Sequence, residues 1–108
     1  MVSMSDENQI VVPPSFIALF VEPGRIKPSA PREQIAERYE FCEDLATMLM
    51  DPARSKLWEL GVDEAEVLER VRSALQAGDA GVNAVEAQWV TTRLAELLQW
   101  QPIGDAVG

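Results

Sequence analysis

Residues 31–49 read P-R-E-Q-I-A-E-R-Y-E-F-C-E-D-L-A-T-M-L. Within them Ile35, Tyr39, Cys42, Leu45 and Leu49 follow one another at spacings of 4, 3, 3 and 4. That rhythm lays apolar side chains along one stripe of a helix and cannot give the two-residue alternation of a strand. Met48 and Met50 widen the stripe. The helix is expected to begin near Pro31, whose missing N–H costs nothing in a first turn, with Ser29 or Ala30 at the cap.

The same grammar continues downstream. Asp51-Pro52 either kinks the first helix or starts a second one, with Asp51 as its cap and Pro52 at its first position. Leu57 and Leu60 extend the apolar face in both cases, Trp58 lies beside it, and Gly61 is the expected stop. Asp63 and Asn83 each stand three residues before a glutamate, Glu66 and Glu86, which approximates a capping box and marks two further helix starts. Val62 and Val67 are spaced as a hydrophobic staple. Inward stripes are expected from Val67, Leu68, Val71 and Leu75 in one helix, and from Ala87, Val90, Leu94, Leu97 and Leu98 in the next, with Trp89 beside them.

Upstream, residues 10–21 (I-V-V-P-P-S-F-I-A-L-F-V) form an uncharged apolar arm. Ser15 is a candidate N-cap for a helical turn; the β-branched and aromatic content leaves a short strand as the alternative. Residues 22–30 are a Pro/Gly-punctuated linker. Residues 1–9 and 101–108 are polar or Pro/Gly-rich and are read as disordered ends. The expected fold is all-α: one helical domain over residues 10–100, a small bundle of about four helices. Its helices lie at about 31–60, 64–77 and 84–100, with the N-terminal arm packed across them.

Function is far less legible. The chain has 108 residues, enough for one ordinary domain, and a net charge of −9 from 18 acids and 9 bases. That balance argues against nucleic acid and anionic membrane as partners, both of which are bound through Lys and Arg. The arm is too short to span a bilayer and its acidic start is unlike a secretory signal. A cytoplasmic location is expected. With one cysteine and no histidine, zinc sites and Ser-His or Cys-His nucleophile pairs are excluded, and no phosphate-binding glycine loop occurs. Cys42 sits in the apolar stripe next to Glu43 and Asp44, surroundings that raise a thiol pKa and suit a core residue. No catalytic residue, metal site or cofactor is therefore expected.

One enzymatic alternative is a Mg²⁺-dependent nucleotide hydrolase using helix carboxylates. Glu33, Glu37, Glu40 and Asp44 line one helix face, and Glu66 and Glu69 stand three apart on another. These acids lie opposite the apolar stripes, where an ordinary solvated face puts them. Charge is also unevenly spread. Arg25, Lys27, Arg32 and Arg38 form the one basic patch, whereas residues 59–69 carry five acids and no base. Such polarity can steer a partner or pair two subunits head to tail.

The favoured reading is a non-catalytic protein-interaction module: an adaptor, regulator or assembly partner. Its candidate contact residues are Phe16, Ile17, Leu19, Phe20, Val21 and Trp100. The arm holds more apolar surface than a monomer normally exposes, so it is expected to be buried on its own chain or in a homodimer.

The segments I-V-V-P-P-S-F-I-A-L-F-V-E-P-G, R-Y-E-F-C-E-D-L-A and A-Q-W-V-T-T-R-L-A-E-L-L-Q-W resemble a family of small uncharacterised bacterial proteins, some labelled "ATPase with chaperone activity". The resemblance spans roughly residues 5–100. It implies a compact helical domain and, because no phosphate loop is present, an accessory of a chaperone ATPase and not the ATPase itself. No catalytic residue follows from it.

Overall fold

The computed structural model describes residues 11–101. The expected disordered segment at residues 1–9 lies outside them, as do all but Gln101 of the expected C-terminal tail. Among the described residues the fold is all-α, with four helices of eleven residues or more and no strand. They are α1 (Arg32–Met48), α2 (Met50–Leu60), α3 (Glu64–Ala74) and α4 (Ala84–Leu98). Contacts divide the chain into two compact units, Met1–Glu40 and Phe41–Gly108, with α1 running through the boundary.

In the first unit the arm is helical, a turn of α-helix at Pro14–Ile17 followed by a 3₁₀ turn at Ala18–Phe20. The strand alternative does not hold. Pro13, extended at φ −66° and ψ 150°, occupies the cap position, and Pro14 starts the helix. Ser15 is therefore inside the helix and is not its cap. Two consecutive prolines fix that start, because their ring φ suits the position before a helix and the first helical position alike. Phe16 is fully buried. Its ring meets those of Phe20 and Tyr39 at centroid distances of 5.6 and 5.7 Å, tilted and edge-on, which are favourable aromatic geometries.

The linker is ordered by its own backbone. Glu22-Pro23-Gly24-Arg25 closes as a turn, with the Arg25 amide donating to the Glu22 carbonyl at 3.0 Å and Gly24 at φ 82°. This is the type II pattern, which places Pro second and demands positive φ third. The Ser29 amide then donates to the Phe20 carbonyl at 2.6 Å. Helix α1 begins at Arg32, one residue later than expected, so Pro31 precedes the helix and offers its carbonyl to the Gln34 and Ile35 amides.

The second unit resolves the Asp51-Pro52 question as a break. Leu49, still in the right-handed region (φ −83°, ψ −6°), separates α1 from α2 and occupies the cap position of α2. Asp51 is not the cap and Pro52 is not the first helical residue. Pro52 lies in the first turn, where a missing N–H is tolerated, and Asp51 pairs with Arg54. Met48 and Leu60, placed on the apolar face by the sequence, are exposed, Met48 the more so. Gly61 ends α2 in the left-handed conformation at φ 64°, a geometry that penalises any side chain with a Cβ.

Both downstream caps form. The Asp63 carboxylate accepts from the Glu66 amide at 2.9 Å. Asn83 and Glu86 exchange both bonds of a capping box, at 2.8 and 3.0 Å. Helix α3 stops at Ala74, short of the expected Ala77. The chain continues as a wider π-type turn over Leu75–Asp79, in which Gly78 takes φ 101°. Helix α4 ends at Leu98, and Gln99 turns left-handed at φ 64°. The Gln99 amide reaches the Glu96 carbonyl and the Trp100 amide reaches the Ala95 carbonyl, which together make a Schellman motif.

The core of this unit joins α2, α3 and α4. Ala53, Val67, Leu68, Leu94 and Ala95 are buried together, covered by Leu49, Met50, Leu57, Val62, Val71, Leu98 and Trp100. Burying each of the larger side chains contributes roughly 1.5–3 kcal/mol.

Candidate interaction surface

The residues expected to carry contacts fall into two groups. Phe16, first among them, is fully buried with its ring against Phe20 and Tyr39, so it acts as core. Ile17, Leu19, Phe20 and Val21 are half-buried around it. Trp100 is half-buried on the α2–α3–α4 core. The Schellman motif sets it there, since that turn brings the second residue past the helix back onto the helix's own last turn.

Several of the carboxylates pair with arginines. Arg93 on α4 grips Glu43 on α1 with two parallel bonds, Nε to Oε1 at 2.8 Å and Nη2 to Oε2 at 2.9 Å. Both side chains are mostly shielded, at 32% and 24% exposure. The guanidinium pKa is raised above its ordinary value, chiefly by the hydrogen bonds it donates to Glu43, with Glu96 adding to the effect. Glu66 pairs with Arg70 and Glu69 with Arg72. Among the described residues no three acids or Cys converge as a metal site would require. Cys42 is buried and takes part in no disulfide.

Helix α2 shows what the sequence missed. Its buried side is Ala53 with Leu57, while Trp58 stands 86% exposed. At about 100° of rotation per residue, Trp58 lies a quarter-turn off the Leu57 stripe. Its neighbours one helical turn earlier are Arg54 and Ser55, both exposed. Those polar neighbours were the available signal that Trp58 belongs to the wet side. A tryptophan is among the side chains most often buried on average, so near-complete exposure on an ordered helix marks a surface.

At the junction of α2 and α3 lies an open groove of about 540 Å³ lined by Leu57, Val62, Asp63, Glu64, Ala65 and Gln101. Its lining combines the half-buried Leu57 and Val62 with Ala65 and two exposed acids, Asp63 and Glu64. No described helix is long and apolar enough to cross a membrane. Comparison with protein families, curated proteins and solved structures finds no match for this chain.

Proposed function

We propose that this protein works without catalysis, through protein contacts, as an adaptor, regulator or assembly partner. The observation that supports this is Trp58, a large aromatic on α2 left 86% in solvent. Trp is the residue most often found to dominate binding at protein interfaces, because one side chain covers much area at small entropic cost. An accessory role beside a chaperone ATPase, as the sequence resemblance implies, is one form of this reading.

The test exploits that exposure. Trp58→Ser removes no core packing, so its thermal midpoint is expected within a degree or two of the wild type, as surface changes normally are. Capture of binding proteins from the cells that make this chain should nonetheless fail with the variant. Identical capture by both proteins would remove the support for Trp58. Turnover of a nucleoside triphosphate with Mg²⁺, abolished by Glu40→Gln or Glu69→Gln, would replace the reading with the enzymatic one.

A further inference from the structure

The groove beside Asp63 has a chemical counterpart on the same chain. Ile26 is 91% exposed, and its sequence neighbours are Arg25 and Lys27, both exposed. An apolar side chain between two cations is what a groove with apolar lining and negative charge beside it selects. Leu57, Val62 and Ala65 supply apolar lining, while Asp63 and Glu64 supply negative charge beside it.

The loop is also held in shape. The Glu22–Arg25 turn closes one side of it and the Ser29 to Phe20 hydrogen bond closes the other. A loop fixed before binding loses less freedom on docking.

We propose that the Arg25-Ile26-Lys27 loop of one copy docks on the Leu57/Val62/Ala65 groove of a second copy, so that the chain associates with itself head to tail. Each copy then offers one loop and one groove. Such a heterologous contact closes into a ring or extends into a chain, and does not stop at a symmetric dimer. One isoleucine and two ion pairs make a weak contact, strengthened at low salt and lost at high salt. The proposal does not rest on Trp58, and Trp58→Ser should self-associate like the wild type.

Sedimentation velocity over a concentration series tests it. The weight-average sedimentation coefficient of the wild type should climb with concentration at low salt and fall back to the monomer value in about 0.5 M NaCl. Ile26→Ser disables the loop. Asp63→Asn with Glu64→Lys disables the groove, and Asn keeps the α3 cap as Asn83 does for α4. Each variant alone should stay monomeric. Mixed in equal amounts, they should form a heterodimer that grows no further, because only one loop–groove pair remains intact; this also shows that both variants are folded. The proposal is overturned by a wild type that is monomeric up to about 1 mM, by Ile26→Ser associating as the wild type does, or by a mixture that stays monomeric. A monomeric wild type that binds a free Arg-Ile-Lys peptide would assign the groove to a different protein and overturn it too.

Discussion

The bridge between Glu43 and Arg93 joins side chains fifty residues apart in sequence, and its strength can be worked out before it is measured. An exposed pair would contribute about 0.2–1 kcal/mol. This one has bidentate geometry at 2.8 and 2.9 Å and about two-thirds shielding or more on both partners, which moves it towards the 1.5–3 kcal/mol typical of hydrogen bonds to charged groups. The two deletions are not equivalent. Glu43→Gln leaves the guanidinium its exposed bond to Glu96 at 3.1 Å, so its cost should be about 1 kcal/mol. Arg93→Met keeps the aliphatic packing but strands a shielded carboxylate, at a cost of about 2 kcal/mol. A double-mutant cycle by urea denaturation, followed by far-UV circular dichroism, should return a coupling of about 1–2 kcal/mol that persists in about 0.5 M salt. A coupling below about 0.3 kcal/mol, or one erased by salt, would make this an ordinary surface pair and refute the reasoning.

Phe16→Ala should destabilise by about 3–5 kcal/mol, the usual loss for a fully buried Phe; a urea midpoint close to wild type would mean the arm is not packed. Asp63→Ala should cost about 1 kcal/mol through its lost cap, whereas Asp63→Asn should be nearly neutral; equal effects in thermal melts would contradict the cap assignment. Gln99→Gly should raise the thermal midpoint, by roughly 0.5–1 kcal/mol in stability, because a left-handed residue at a helix end favours glycine; a lower midpoint would argue against that geometry.

How legible each feature was follows from the range of the interaction behind it. Asp63, Asn83 and Gly61 act within one helical turn, so their roles could be read from local spacing. Phe16 could be expected inside because an uncharged aromatic run has few other places to go. The failures lie where neighbouring residues compete or where distance matters. Pro13 and Pro14 overrode Ser15, since ring geometry fixes the helix start before a hydroxyl can. The second helix starts after Leu49, whose cap position lies two residues before the Asp51 that the proline suggested, placing Pro52 in a first turn where no N–H is needed. Glu43 drew notice only as a neighbour of Cys42, because Arg93 is remote in sequence and only tertiary packing pairs them. Trp58 was set beside the core on hydrophobicity alone, although Arg54 and Ser55 one turn earlier indicated the solvent side. For function, absent motifs narrowed the chemistry, but no local pattern marks a surface that binds protein.

The central claim is that α2 presents a protein-binding surface centred on Trp58. It is tested most directly by placing a photoreactive phenylalanine analogue at position 58 in living cells and irradiating them. The account predicts a discrete crosslinked adduct between this chain and another polypeptide, absent when the same analogue replaces Gln88, an exposed residue on α4. Crosslinking from position 58 no different from that at position 88 would contradict it.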